Sequence, residues 1–191
     1  MYGFVSGKNI WGVGAILSLV GIFIPYVGIV AALAGVILIL IAVKIIADEA
    51  NDRSIYSNYL VSFVLRILSV VIAGISFISI FGFSILSVTR GAKHIEEIGI
   101  KGLIIGLIVA IVIFWIIYVI SAIYLRRSYE KIAKYTKVDL FRTTGMLYLI
   151  GAATLIIAVG AIIIFIAEIL EIISYFSLPD SMPKEEATAQ I

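Results

Sequence analysis

Apolar residues are concentrated in four long blocks, and short stretches between them carry most of the charges. The blocks run over residues 10–47, 55–89, 98–125 and 140–176. A helix crosses the hydrocarbon core of a bilayer with roughly 20 residues, so the first and last blocks are long enough for two spans each. Pro25 interrupts the first block and Gly160 the last. The pattern predicts an all-α transmembrane bundle with about six spans, over 9–24, 27–47, 55–82, 99–125, 138–157 and 159–177.

The positions of lysine and arginine test this count, because cytoplasmic loops carry the excess of both residues. With six spans, ten cations lie on the side of the two termini, and three, Arg90, Lys93 and Lys101, lie on the other. Four spans would divide them 5 to 8 and five spans 9 to 4, so five spans stay open. We expect a multi-pass protein of the plasma membrane with both termini in the cytoplasm.

The first and last blocks resemble each other. With an offset of 132 residues, Gly28 aligns with Gly160 and Gly35 with Ala167. This is a weak internal repeat of a helical hairpin. We predict one transmembrane domain over 1–178, followed by a flexible polar tail over 179–191, which contains Pro179 and Pro183.

Composition narrows the protein class further. Hydrophobic residues make up 63% of the chain and charged residues 14%, with a mean hydropathy of +1.22, which excludes a soluble domain and a disordered chain. A net charge of +2 gives no argument for nucleic acid. No cysteine and a single histidine leave neither thiolate nor histidine-rich metal sites, so we expect no metal and no cofactor. Abundant isoleucine without cysteine suits a hyperthermophilic prokaryote, with an archaeon as our expectation.

Glycines recur at spacings that place small residues on one helix face. Such faces let membrane helices approach closely, either within a bundle or between protomers. The alternative is a glycine face that lines a path for a substrate. The candidate packing residues are a heptad series and a GxxxG pair, namely Gly14, Gly21, Gly28, Gly35, Gly102 and Gly106.

Three charged residues lie inside predicted spans. Arg66 is roughly 17 Å from the cytoplasmic end of its span and Glu168 roughly 14 Å, with Glu171 one turn nearer that end. An unpaired charge at such depth costs at least ~2.5–3.5 kcal/mol, so a partner or a water-filled cavity is expected. One interpretation is a buried ion pair that fixes helix register. A second is a polar pathway for an ion, proton or small anion, and a third is contact with a partner subunit.

The stretch between the fourth and fifth spans is basic and has helical apolar spacing. Its cations are Arg126, Arg127, Lys131, Lys134, Lys137 and Arg142. We predict an amphipathic segment on the cytoplasmic membrane surface, which anchors topology or docks an acidic partner or lipid headgroup. Thr136 to Asp139 resembles a capping box that would begin the fifth span. The acidic turn from Asp48 to Asp52 is expected on the same side, where it could accept cations from this segment.

Aromatic residues fall near the ends of the predicted spans. Trp11, Tyr59 and Tyr175 lie near the cytoplasmic boundary, where aromatic belts of membrane proteins are found. We therefore interpret them as interfacial residues.

Two longer segments carry a family resemblance. The first includes Gly12-Val-Gly-Ala-Ile-Leu and Pro25-Tyr-Val-Gly28, and the second includes Ser128-Tyr-Glu-Lys-Ile-Ala and Phe141-Arg-Thr-Thr-Gly145. Together they resemble the domain-of-unknown-function 996 family, small multi-pass membrane proteins found largely in archaea. The resemblance implies a membrane-embedded helical fold and supplies no catalytic residues.

The chain carries no GxSxG, Walker-type or HExxH motif, and we expect no enzyme activity. The leading interpretation is a structural or accessory subunit of a membrane assembly, joined to copies of itself or to other membrane subunits. The alternative is a small ion or solute transporter or channel that uses Arg66, Glu168 and Glu171.

Overall fold

The computed structural model describes residues 7–21, 24, 28–89 and 96–183, and every regular element within them is helical. Pro25, Arg90, Lys93 and residues 184–191 of the predicted tail lie outside the described residues. A 3₁₀ helix, Leu155–Ile157, connects the last two α helices. The α helices are α1 (Gly7–Gly21), α2 (Gly28–Glu49), α3 (Arg53–Thr89), α4 (Glu96–Thr136), α5 (Leu140–Thr154) and α6 (Val159–Phe176). The predicted all-α polytopic bundle is thus confirmed.

Five helical segments are long and apolar enough to cross a membrane. They are Val30–Glu49, Arg53–Ser79, Ile104–Thr136, Leu140–Ile157 and Val159–Phe176. The remaining helix, α1, has 15 residues and is about 22 Å long, which is shorter than the ~30 Å hydrocarbon core. The structure therefore has the six helices predicted, of which five meet the length for a span.

The six helices form a closed ring. Each packs against its neighbours in the chain, and α1 packs against α6 to complete the circle. Short connections make consecutive helices antiparallel, as expected for a helical bundle. The terminal end of the bundle carries the start of α1, the end of α6, and the α2–α3 and α4–α5 turns; the opposite end is the far end. Lys8 and Asp180 form an ion pair, which holds the two chain ends together at the terminal end.

The hydrophobic core lies near the terminal end and is rich in aromatic side chains. Tyr129 and Phe141 meet edge to face at 5.5 Å between ring centroids, and Phe141 meets Tyr175 in the same way at 5.2 Å. Tyr59 stacks on Tyr129 at 6.2 Å. Trp11, Tyr59 and Tyr175 are all buried, so their interpretation as an interfacial belt is wrong. These rings fill the space that the converging helices leave, and edge-to-face pairs of this kind stabilise a core beyond their buried area.

Glycines close the two terminal hairpins in the same way. A Cβ added to Gly21 would lie 2.6 Å from the carbonyl oxygen of Gly28, and one added to Gly151 would lie 3.1 Å from that of Gly160. Backbone therefore meets backbone across both hairpins, which only glycine permits. Gly28 and Gly160 are the residues that the internal repeat aligned, so the repeat is confirmed as a shared hairpin.

Helices α3 and α4 form a hairpin much longer than its neighbours. Serine hydroxyls set its register: Ser121 Oγ donates to the Ser62 carbonyl at 2.8 Å, and Ser128 Oγ donates to the Ile55 carbonyl at 2.8 Å. The helices have 37 and 41 residues, about 55 and 61 Å. Helix α3 continues past Gly82 to Thr89, beyond the predicted span. The far half of this hairpin extends past the rest of the bundle.

The corner between α4 and α5 differs from two expectations. The basic segment is the continuous end of α4, and Tyr129, Ile132 and Ala133 pack into the core instead of lying on a membrane surface. Its helical periodicity was real, but the apolar face packs against the protein. The capping box does not form, because Thr136 Oγ1 donates back to the Ile132 carbonyl at 2.7 Å and Asp139 makes no side-chain capping bond.

The turn between α2 and α3 is tied to α4 by Asp52. Its carboxylate accepts from the Ser54 backbone N–H at 3.0 Å, at the start of α3, and from Lys131 Nζ at 2.9 Å. The expected contact between the acidic turn and the basic segment therefore exists. The hydrogen bonds from Ser54 and Lys131 lower the pKa of Asp52 to about 2 from the ordinary 3.8.

The hairpin glycines predict opposite effects for the same substitution. Gly21→Ala should lower the unfolding temperature in detergent, because its new methyl group meets the Gly28 backbone. Gly74→Ala should leave it unchanged or raise it, because no atom of the described chain would lie within 4 Å of the methyl group and alanine favours a helix by about 0.5–1 kcal/mol. Equal losses for both variants would contradict the role assigned to Gly21.

Asp52 predicts a stability difference that depends on pH. Because its pKa is lowered in the folded protein, its contribution is present above the ordinary pKa of 3.8 and disappears as the pH falls toward 2. Asp52→Asn should lower the free energy of unfolding by about 0.5–1 kcal/mol at neutral pH, because asparagine can still cap α3 but lacks the charge that pairs with Lys131. The gap between wild type and variant should narrow in unfolding curves recorded below about pH 3. A gap that is constant with pH would argue against this contact.

Candidate functional site: a buried arginine, tyrosine and glutamate cluster

The three charged residues predicted inside spans come to one region of the bundle. Arg66 lies on α3, and Glu168 and Glu171 lie on α6. Within the described residues, Arg66 makes no ion pair with either carboxylate at 4.0 Å or less. Tyr148 on α5 lies between them and contacts both sides. The simple ion pair of the first interpretation is thus replaced by an arrangement through a third residue.

Tyr148 contacts Arg66 with its ring and Glu171 with its hydroxyl. The Arg66 guanidinium carbon is 5.4 Å from the Tyr148 ring centroid and 6.0 Å from that of Tyr118 on α4. The Tyr148 hydroxyl donates to Glu171 Oε2 at 2.6 Å. An aromatic face attracts a cation, and a hydroxyl bonded to a carboxylate is among the stronger hydrogen bonds. Tyr148 therefore contacts both Arg66 and Glu171, which form no ion pair with each other.

Further tyrosines surround Glu171, which is only 8% exposed. Tyr59, Tyr129 and Tyr175 all lie within electrostatic range of its carboxylate. The hydroxyls of Tyr129 and Tyr175 and Arg66 Nε are buried and make no hydrogen bond of 3.5 Å or less among the described residues, although the Tyr129 hydroxyl lies close to Glu171 and Tyr175. An unsatisfied buried donor costs about 1–3 kcal/mol. The cluster is therefore richer in donors than in acceptors.

Glu168 lies one turn away on α6 and is half-buried. It is within electrostatic range of both Glu171 and Arg66. The cationic guanidinium therefore lies near two carboxyl groups and over the rings of Tyr118 and Tyr148. This arrangement holds α3, α4, α5 and α6 at a fixed register.

A second polar contact lies beside the cluster. The Thr144 and Ser174 hydroxyls are 3.3 Å apart between α5 and α6, and both side chains are buried. Ser174 Oγ also donates to the Leu170 carbonyl at 2.7 Å.

The sequence analysis did not predict Thr144, Ser174 or either ring partner of Arg66. Tyr118 and Tyr148 gave no signal, because a tyrosine inside an apolar span looks the same whether it faces lipid or a charge.

The predicted glycine residues separate into two groups. Gly14, Gly21, Gly28 and Gly35 lie at the contact between α1 and α2; a Cβ at Gly14 would lie 2.7 Å from Leu38 Cβ. Gly102 and Gly106 lie on the far half of α4, where no atom of the described residues would be within 4 Å of an added Cβ. The first group is used inside the chain, and the second is open.

The predicted basic residues lie at the terminal end, and most have local partners. Arg126 pairs with Glu130 at 2.8 Å, and Arg142 lies 3.6 Å from Asp139. Lys131 binds Asp52, as described above. Arg127 lies over the Tyr124 ring and Lys134 over the Tyr135 ring, at 5.5 and 5.7 Å. Lys137 is exposed and adopts a positive φ of 60° in the turn between α4 and α5.

The Tyr148 hydroxyl gives a direct test of the cluster. Tyr148→Phe keeps the ring beside Arg66 and removes the 2.6 Å hydrogen bond to the buried Glu171 carboxylate. The free energy of unfolding should fall by about 1–3 kcal/mol in mixed micelles, because a buried carboxylate loses a close hydrogen-bond donor. Tyr118→Phe, which also keeps a ring beside Arg66, is the matched control and should cost well under that. Equal effects in both variants would refute the role of the hydroxyl.

Comparison with known proteins identifies the family. No solved structure matches the chain. An uncharacterised protein of Methanocaldococcus jannaschii is 39% identical over 184 residues, which cover 94% of this chain and 96% of that protein. The family described as a protein of unknown function, DUF996, matches residues 31–169. This match includes Arg66, Tyr118, Tyr148 and Glu168 and ends before Glu171. The chain therefore belongs to the DUF996 family, as the sequence resemblance predicted.

Proposed function

We propose that the protein is a non-enzymatic structural subunit of a membrane assembly, in which the far half of the α3–α4 hairpin binds a second copy of the chain. The observation that carries this proposal is the contrast between two sets of glycines. Gly21, Gly28, Gly35, Gly151 and Gly160 of the terminal hairpins are in backbone contact with a neighbouring helix. Four others would have no atom of the described residues within 4 Å of an added Cβ, and all of them lie on the far half of the long hairpin: Gly74, Gly82, Gly102 and Gly106.

Open glycines on a membrane helix favour association, because they let a second backbone come close without opposing side chains. Gly102 and Gly106 are four residues apart and therefore lie on one face of α4. Their neighbours are well exposed, with Ile105 at 62% and Ile108 at 56%. A helix placed on this face would meet a shallow glycine groove bordered by isoleucines.

An apolar pocket of ≈ 190 Å³ lies beside this face, between α3 and α4. It is lined on α3 by Ala73, Ser76 and Phe77 and on α4 by Leu107, Ala110, Ile111 and Phe114. Small residues at its walls leave a recess in which an isoleucine or leucine from another chain fits. Because the recess offers apolar contact, it supports the proposal that the far half of the hairpin packs against another chain.

The buried cluster supports the same proposal from the other end. The Glu171 carboxylate accepts from Tyr148, and the guanidinium of Arg66 is placed between two rings. These contacts lie within the chain and fix four helices relative to one another. Lysines and arginines at the terminal end are consistent with cytoplasmic termini under the positive-inside rule.

Helix association can be tested by adding side chains to the open glycines. We expect Gly102→Leu and Gly106→Leu, alone and together, to convert an assembly in lipid nanodiscs to single chains, because leucine separates the backbones. Ile105→Leu is the control, since it changes an exposed neighbour without filling the glycine face. Mass measurement in lipid reports the number of copies.

Cysteine cross-linking gives a second measurement of the same contact. The chain has no cysteine of its own, so Gly106→Cys introduces a single thiol. Copies that meet at this face should form a disulfide-linked dimer in the membrane, and Ile157→Cys, on the α5–α6 turn, should not. If the protein is a single chain in lipid and Gly106→Cys does not cross-link, the proposal is refuted.

One observation favours transport as a second candidate function. Arg66, Tyr129 and Tyr175 place buried donor groups near the buried Glu171 carboxylate, and ionisable groups of this kind mark ion and proton paths in membrane proteins. Flux of protons and small ions into vesicles that contain the wild type, compared with Glu171→Gln, tests this role. Flux that depends on Glu171 would favour a transporter over a structural subunit.

A further inference from the structure

The turn between α5 and α6, residues 155–159, contains only apolar side chains. The preceding Thr154 is polar, but its hydroxyl donates back to the Ile150 carbonyl at 2.8 Å. Ile156 and Ile157 are 55% and 65% exposed. No charged residue occurs between Arg142 and Glu168. A turn that emerged into water would expose several isoleucine and valine side chains with no polar residue to offset them.

Trp115 fixes the position of this turn along α4. Its indole N–H reaches the Ala152 carbonyl at 3.0 Å and the Ala153 carbonyl at 3.3 Å, at the end of α5. From Trp115, α4 continues for about 21 Å before its first charged residue, Lys101. The turn therefore lies well below the far end of the long hairpin.

The exposed residues of α4 beyond Trp115 indicate where the hydrocarbon must lie. Ile104, Ile105 and Ile108 are each more than half exposed, and the helix here has no charge until Lys101. Placing this stretch in hydrocarbon puts the far boundary of the core near Lys101. The 3₁₀ turn extends about 6 Å beyond Ala153 toward that boundary. In a core of ~30 Å, the α5–α6 turn therefore lies about 15 Å from the boundary, near the middle of the hydrocarbon.

The backbone at the turn is suited to an environment without water. Helix ends leave carbonyl groups without partners, and in lipid these must be satisfied by the protein. Trp115 donates to the Ala152 and Ala153 carbonyls, and the Ala152 carbonyl also accepts from the Leu155 N–H. The Ala158 N–H bonds to the Leu155 carbonyl at 3.0 Å and the Ala161 N–H to the Ala158 carbonyl at 3.1 Å. Ala158 adopts a φ of 64° to close the turn.

We infer that the α5–α6 hairpin enters the bilayer from the terminal end, turns inside the hydrocarbon and returns, so that acyl chains of the opposite leaflet cover its tip. Although Leu140–Ile157 and Val159–Phe176 are long enough to span, their alignment with α4 places their shared turn short of the far boundary. The two helices then add protein cross-section to one leaflet, whereas α3 and α4 cross both. The chain is a wedge that widens one leaflet. It favours a curved membrane in which the leaflet that holds the hairpin lies on the convex side.

The depth of the turn can be measured with single cysteines in this cysteine-free chain. Nitroxide labels at Thr143, Ile157 and Lys101 report the near end of α5, the turn and the far end of α4, and all three positions are exposed. We expect the ratio of collision rates with oxygen to those with a water-soluble nickel complex to be highest at Ile157, by about tenfold relative to the other two sites. A membrane-impermeant maleimide should label Thr143→Cys and Lys101→Cys from opposite sides and leave Ile157→Cys unlabelled.

The opposite labelling result would overturn the inference. If Ile157→Cys reacts from the same side as Lys101→Cys and its nitroxide is shallow, the hairpin crosses the bilayer.

The wedge is tested separately, by pulling a thin tube from a giant vesicle that contains oriented fluorescent protein. Enrichment in the tube by about twofold in one orientation, with depletion in the other, supports the wedge, and equal density in tube and vesicle refutes it. Neither result depends on whether copies associate through Gly106.

Discussion

An arginine and two glutamates placed among apolar helices need partners within the protein, and Tyr148 supplies contacts to both signs of charge. Its ring faces the Arg66 guanidinium while its hydroxyl binds Glu171. Because these side chains come from α3, α5 and α6, with Tyr118 of α4 on the other side of the arginine, four helices must converge at one level. The ring of six helices and its aromatic core are arranged around this requirement, since a displacement of any of the four would expose a charge to hydrocarbon.

Much of the fold was readable from the sequence because membrane helices have long apolar stretches with charged connections. Helix number and the two terminal hairpins follow from that pattern, whereas α3 continues past Gly82, beyond the predicted span. The basic end of α4 was misassigned for a physical reason. Tyr129 and Ile132 show the same helical spacing whether their face meets lipid or protein, and only the position of α5 decides between the two.

The site was predictable in its charges and not in its geometry. Arg66 and Glu171 stand out because ionisable residues are rare in apolar spans, and their similar depths suggested proximity. Nothing in the sequence indicated that a tyrosine would separate them, because a ring–cation contact has no spacing rule when its members lie on different helices. The burial of Tyr59 and Tyr175 was missed for the same reason, since tyrosine is equally at home at an interface and beside a buried carboxylate.

Helix length connects the buried cluster with the long hairpin. Among the residues that the structure describes, the fully buried polar side chains lie in the half of the bundle toward the terminal end. Only α3 and α4 continue into the far half. Those two helices carry open glycines and exposed isoleucines but, from Ala73 to Ser79 and from Gly102 to Phe114, no charge. The far half therefore needs no protein neighbour to satisfy polar groups. Neither lipid nor another apolar helix would leave a polar group of the far half without a partner. A helix differs from lipid in that its backbone can come close to the chain at the glycines.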